Sequence, residues 1–249
     1  MTRRVAHIGS GAIAVALLAA GGTAVASPSP RPGELAPIHG PYAPKIDPAN
    51  FVAKIDNRYL PYRPGTRIQF EGVRGTTPQT DDQVVLHRTK RILGVPSTVV
   101  RDTVSEHGRA IELTFDWYAQ DRWGNVWYMG ERSLERGAHG PFKLATDSWE
   151  SGVKGGKPGI IMPGDPTPGE AYRQEYYPPG EALDEARVVG RRGSVTVPYG
   201  TFDKPLVTLE RSPLEPQTEK KYYVRGLGEV KETVVKGHHE TFSLVRVTR

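Results

Sequence analysis

Cysteine is absent from the 249-residue chain. Its absence excludes disulfide staples, thiolate metal sites, cysteine nucleophiles and an anchor through an acylated cysteine. Stability must come from core packing, and an exported form would be released or held without a covalent tether. Long apolar runs are also missing. The most apolar stretch lies in the first 26 residues and is too short, and too rich in Gly and Ala, for a membrane span of ~20 residues. Runs of like charge are absent as well: 33 Lys and Arg oppose 28 Asp and Glu, too mild and too dispersed an excess to indicate nucleic acid. There is no phosphate loop, no dinucleotide fingerprint and no nucleophile elbow, so no cofactor is implied. His238 and His239 are adjacent and would point to opposite faces of a strand, while His87, His107 and His139 lack ligand spacing, so no metal site is expected.

What is present begins with "MTRRVAHIGSGAIAVALLAAGGTAVA". Arg3 and Arg4, an apolar centre and Ala24-Val25-Ala26 form a signal peptide cleaved near Ala26, directing the protein to secretion or the cell envelope. The arginine pair hints at twin-arginine export; Sec export is the default. Residues 27–48 hold seven prolines and read as an extended, solvated linker. Residues 49–249 form the body. Short runs rich in Val, Tyr, Thr, Phe and Ile recur between Gly and Pro breaks, which predicts an all-β protein: a curved antiparallel sheet or half-open barrel. "PANFVAKIDN" and "GEALDEAR" are short helix candidates. The Gly/Pro-rich segment 148–169 reads as a long loop, a rim or lid.

An offset of 104 residues lays Pro64-Gly65 on Pro168-Gly169, Tyr118 on Tyr222, Gly124 on Gly228 and Val126 on Val230. Two diverged half-units, roughly 58–147 and 162–249, follow from that offset. The segments "LPYRPGTRIQFEG", "VTVPYGTFDKPLVTLE" and "KYYVRGLGEVKE" resemble exported bacterial β-proteins of the LolA-like and TapB-type half-barrel group. The stretch "DWYAQDRWGNVWY" resembles secreted, mostly uncharacterised actinobacterial-type sequences. The resemblance implies a curved sheet around an apolar groove, which in the best-known relatives holds lipid chains. It transfers no catalytic residue.

The stretch "DWYAQDRWGNVWYMGE", 116–131, holds three of the four Trp. A four-residue turn, Asp121 to Gly124, would pair Tyr118 with Trp127 and Asp116 with Met129. One face then carries Phe115, Trp117, Ala119, Val126 and Tyr128 and belongs to the core. The other carries Thr114, Asp116, Tyr118, Gln120, Trp127, Met129 and Glu131, a mixed face suited to a ligand. Tyr118, Trp127 and Met129 would line the site, with Trp123 at the turn tip and Trp149 on the long loop also able to reach it. Three functions follow: a non-enzymatic binding module for an apolar or amphipathic envelope molecule, lipid or glycan; a cell-wall structural or protein-interaction domain; or a glycan-cleaving enzyme using Asp116 and Glu131.

Overall fold

The computed structural model describes residues 30–137, 140–180, 182–214 and 216–249; the expected signal peptide and His139 lie outside the described residues. A one-turn helix α1 (Pro32–Leu35) precedes the strands β1 (Phe51–Val52), β2 (Arg67–Arg74), β3 (Thr77–Ile92), β4 (Val95–Glu106), β5 (Arg109–Asp121) and β6 (Val126–Glu135). Then follow β7 (Lys143–Leu144), β8 (Trp149–Glu150), β9 (Lys157–Met162), β10 (Ala171–Arg173), β11 (Glu175–Tyr176) and β12 (Glu185–Arg191). The chain ends with β13 (Ser194–Val197), β14 (Gly200–Asp203), β15 (Leu206–Arg211), β16 (Thr218–Val224), β17 (Gly228–Lys236) and β18 (Glu240–Thr248).

The protein is all-β. Its main sheet runs β10-β12-β15-β16-β17-β18-β2-β3-β4-β5-β6-β9-β11, antiparallel throughout. The last strand pairs with the first long one, β18 with β2. The path's two ends, β10 and β11, are consecutive in the chain and separated only by Gln174. A single extended segment therefore pairs first with β12 and then with β9, closing the sheet into a barrel along one seam. Closure removes the free edges that would invite aggregation.

Local chemistry builds the long hairpins. Between Ile92 and Val95, and again between Glu106 and Arg109, two residues turn the chain with both φ positive: Leu93-Gly94 (48° and 81°) and His107-Gly108 (50° and 75°). These turns match strand twist and set register. Where propensity and burial compete, burial wins. The second half of "GEALDEAR" is not helical: Glu185–Arg191 is strand β12, with Ala186 and Val188 fully covered between β10 and β15. Only Pro48–Asn50 of the other helix candidate forms a single 3-10 turn before the chain extends into β1. Segment 148–169 supplies β8 and β9, so more than a third of it is barrel wall rather than lid.

Residues 30–48, read above as a solvated linker, lie along the seam. Ala36 accepts a backbone hydrogen bond from Arg173, and Tyr42 donates its hydroxyl to the Pro158 carbonyl. Ala36 and Tyr42 are buried. The following segment, 53–66, plugs the barrel end next to the β5–β6 turn. There Asn57 donates from Nδ2 to the carbonyls of Gly124 (2.8 Å) and Pro163 (2.9 Å), and Gln120 Oε1 accepts from the amides of Asp56 and Asn57. Tyr59, Leu60, Val95, Val126, Met162 and Leu206 gather at this end in the larger apolar cluster. A smaller cluster joins Val195 and Val197 of the β13–β14 hairpin to Ile68, Phe70, Val230 and Leu244.

Candidate functional site

The β5–β6 turn is one residue longer than expected. Asp121 donates its amide to the Asn125 carbonyl and accepts at Oδ1 from the amides of Trp123 and Asn125, so Gln120 faces Val126 rather than Asn125. That single extra residue inverts the start of β6. Tyr118 opposes Tyr128, while Trp127 opposes Ala119 on the other face. A β-bulge at Met129 then inserts a second extra residue and restores the original parity, leaving Glu131 directly opposite Asp116. The expected Tyr118–Trp127 and Asp116–Met129 pairs are therefore corrected. The shared face of Asp116, Tyr118 and Glu131 stands, because the two displacements cancel there.

The other ring positions follow. Trp127 packs outward against Phe51 (centroids 6.3 Å apart) and donates Nε1 to Asp121 Oδ2 at 2.9 Å. Met129 is fully buried within the main apolar cluster. Trp123 is half-buried at the turn, with the Arg122 guanidinium 4.7 Å above its ring. Trp149 stands edge-on to Tyr128 at 5.5 Å and donates Nε1 to Glu175 Oε2. Of the expected contact residues, Tyr118 lines the interior cavity together with Asp116 and Glu131; Trp127, Met129, Trp123 and Trp149 do not.

That cavity, of about 300 Å³, has two kinds of wall. Near the plugged end are the rings of Tyr62 and Tyr118, 5.0 Å apart, with Tyr128 outside the lining and stacked on Tyr118 at 4.9 Å with 17° between planes. Toward the other end are carboxyls: Asp81 from β3, Asp102 from β4, Glu112 and Asp116 from β5, and Glu131 from β6. The opposite wall adds Glu229 and Glu232 from β17 and Glu240 from β18. Two cationic side chains join them. Half-exposed Arg74 pairs with Glu240 at 3.0 Å near the rim, and Lys221 reaches Glu232 at 3.1 Å. The interior is thus acidic, not the apolar groove that the family resemblance implied.

Eight carboxyls around so little space must hold protons. Tyr128 Oη lies 2.6 Å from Asp116 Oδ1 and 2.9 Å from Glu131 Oε2. A hydroxyl carries one proton, so it donates to one carboxyl and accepts from the other, which must be a carboxylic acid. Burial, then the Asp102 charge, pushes Asp116 up to about 8. Burial and Asp116 raise Glu131 well above the usual carboxylate range. A second pair shares Gln83, whose amide donates to Asp81 Oδ2 and Asp102 Oδ2, each at 3.1 Å. Burial and the Asp102 charge push Asp81 up strongly, and burial raises Asp102 too. Asp81 and Asp102 also hydrogen-bond each other, so one of the two carries the shared proton. Burial lifts Glu232 to about 7 against the pull of Lys221. For Lys221 itself, burial disfavours the charge, but Glu232, Glu210, Glu229 and Glu219 outweigh it and hold the ammonium protonated.

Tyr62, Tyr128, Asp81, Asp102, Glu229 and Glu232 were not singled out from the sequence. The alternation Asp81-x-Gln83 and Glu112-x-Thr114-x-Asp116-x-Tyr118 is the signal that could have found some of them, since polar residues recur at period two on faces that closure turns inward. Among the described residues no three His, Cys, Asp or Glu are arranged to hold a metal ion, and no helix is long and apolar enough to cross a membrane.

The fold and site define an antiparallel β-barrel with a small, acidic, tyrosine-walled interior. No protein-family model matches the chain, and no curated protein matches it. Among solved structures it is similar to a Bacteroides fragilis protein assigned as exported with a YmcC-like fold: 12% identity, 78% of this chain and 100% of that one, TM-score 0.43. It is also similar to a protein assigned as a lipoprotein from Parabacteroides distasonis: 11% identity over 78% of this chain and 100% of that one, TM-score 0.40. Neither is described as LolA-like or TapB-type, and at this distance neither carries an argument about function.

Proposed function

We propose that the protein is an exported, non-enzymatic binding protein that holds one small amphipathic molecule inside its barrel. The observation that carries this reading is the cavity's division into a ring wall, Tyr62 and Tyr118, and a carboxyl wall. Apolar surface with a few convergent polar groups is how small-ligand pockets combine affinity with orientation, and about 300 Å³ is at the lower end of their size range. A diacyl lipid does not fit such a volume, so the ligand is smaller than the lipids suggested by the family resemblance. Native mass spectrometry of the protein secreted by its own host is the test. A stoichiometric small molecule is expected, together with a mature N-terminus near Ser27; a protein that is always empty would overturn the reading.

A second reading, glycan cleavage by Asp116 and Glu131, is favoured by their direct cross-strand pairing and their shared contact with Tyr128. Both oxygens are within hydrogen-bond reach of Tyr128 Oη, so they are no farther apart than the ~5–5.5 Å between the carboxyls of retaining glycosidases. Against it, burial raises both groups, whereas a nucleophile must be ionised. Turnover of an extracellular polysaccharide that Asp116→Asn abolishes would reverse the order of the two readings.

A further inference from the structure

We propose that the cavity takes an organic cation, an aryl- or alkylamine whose ammonium sits among Asp81, Asp102 and Asp116 while its apolar body lies on the wall formed by Tyr62 and Tyr118. This rests on the binding-protein reading above and adds the ligand's charge and chemical class.

Three independent observations support it. Charge is the first: eight carboxyl side chains line the space against Arg74 and Lys221, and both of those cations already have carboxylate partners. Lys221 pulls on Asp102 through space, but its ammonium is paired with Glu232 and Glu210. The second is a buried carboxyl pair held together by a shared proton. Asp81 and Asp102 hydrogen-bond each other, which requires one of them to be protonated, and Gln83 donates to an oxygen of each. An ammonium with three N–H donors can take the place of that proton and serve both carboxylates at once. The third is the aromatic part of the lining, Tyr62, Tyr118, Phe70 and Phe242, whose area receives an apolar body and whose rings attract cations.

An organic cation suits the lining better than a bare metal ion. A hard divalent ion needs several oxygens converging on one point, and among the described residues no such set of three is present. The carboxyls are spread along several strands beside rings, which suits an elongated molecule with a charged head.

The same geometry makes binding exchange protons. In the empty cavity mutual repulsion and burial keep part of the carboxyl set protonated; an ammonium beside Asp102 and Asp116 favours their ionised forms, and each newly ionised carboxyl releases its proton to solvent. The groups facing this pair are Asp81 and Gln83 from β3, Glu112 from β5, Tyr128 and Glu131 from β6, and Arg74 and Glu240 from β2 and β18. Lys221 and Tyr223 from β16, Glu229 and Glu232 from β17, and Tyr62 complete the surroundings. All but Arg74, Lys221 and the uncharged Gln83 titrate between an anionic and a neutral form, so affinity for an ammonium rises with pH until the amine itself loses its proton.

The test is calorimetric titration of the full mature chain at pH 6, 7 and 8 with phenethylamine, tryptamine, cyclohexylmethylamine and spermidine, each in two buffers of different ionisation enthalpy. The neutral 2-phenylethanol and calcium chloride serve as controls. At least one arylamine is expected to bind ten times or more tighter than 2-phenylethanol, with proton release and an affinity that climbs from pH 6 to pH 8. Asp102→Asn should remove most of that preference for amine over alcohol; Asp81→Asn, checked for an intact fold by circular dichroism, provides the second variant. Equal binding of amine and alcohol overturns the cation assignment but leaves the binding-protein reading standing. So does a neutral or anionic molecule found bound in protein from its host. Calcium binding alone with the same proton release replaces the amine by a metal. If every amine fails at millimolar concentration and the host protein is empty, both proposals fall.

Discussion

Tyr128 concentrates the chemistry of the interior at one atom. Its hydroxyl serves both Asp116 and Glu131, and burial keeps its own proton in place, reinforced by the charges of those two neighbours. Replacing it with Phe leaves one buried carboxyl without its donor and the other without its acceptor; Tyr128→Phe should destabilise the protein by ~1–3 kcal/mol in urea unfolding. The pH dependence has a definite sign. Asp116 and Glu175 are both raised to about 8 and Glu232 to about 7, each by burial first. Folded protein therefore holds more protons than unfolded chain between about pH 4 and pH 8. The stabilisation associated with these groups is complete below their unfolded values and is lost as pH rises through the folded ones. The urea midpoint should fall from pH 5 to pH 8, and Asp116→Asn, which keeps a neutral group in place, should flatten that slope. A midpoint that rises over the same range would show that the carboxyls are ionised at pH 5.

At the scale of the element, the β5–β6 hairpin owes its faces to two irregularities, the long turn and the bulge. Gly130 follows the bulge with φ 131°, and a Cβ there would meet the Trp149 carbonyl oxygen at 2.5 Å and Glu150 Cα at 2.9 Å. Both obstacles are backbone, so Gly130→Ala should cost ~1–3 kcal/mol and detach β8 from β6, seen as faster amide exchange at 149–151. The plug makes a parallel prediction. Asn57 donates two bonds to the turn regions and accepts the amides of Tyr59 and Leu60. Asn57→Ala should loosen that end of the barrel, with protection lost first at 57–62 while β16–β18 stay protected; uniform loss would mean the plug is not a separate unit.

The whole molecule depends on one short closure. β10 and β11 span five residues between them, and Gly159 lets the Gln174 backbone approach so closely that a Cβ would lie 2.3 Å from it. Residues 30–48 brace this seam through Ala36 and Tyr42. A chain beginning at residue 49 should still fold, because the long hairpins are intact, but amides at 171–176 should exchange markedly faster than in the mature protein. Unchanged exchange there would return the Pro-rich segment to the role of simple linker. The offset of 104 that suggested two half-units does not preserve side-chain direction: Tyr118 faces the cavity, whereas Tyr222 lies between Lys221 and Tyr223, both of which do. The two hairpins also differ in loop length, five residues between Gln120 and Val126 and three between Val224 and Gly228.

Strand content, most turns and the mixed face of β5 were legible in the sequence, because alternation and Gly/Pro punctuation are local and act within a few residues. Asp121 as the organiser of its turn was legible for the same reason. What tertiary structure alone decided was direction and enclosure. One residue more in a turn flips every side chain beyond it, a bulge flips them back, and nothing local announces either. Residues 185–187 end a helix-forming stretch yet begin a strand because β10 and β15 each offer an edge. Whether Asp81, Asp102, Asp116, Glu229 and Glu232 are solvated or crowded depends on whether the sheet closes, which needs both the short β10–β11 seam and the β18–β2 pairing of segments far apart in the chain. Carboxyls that the sequence distributes as ordinary surface charge become, inside a barrel, groups that must share protons or find a cation.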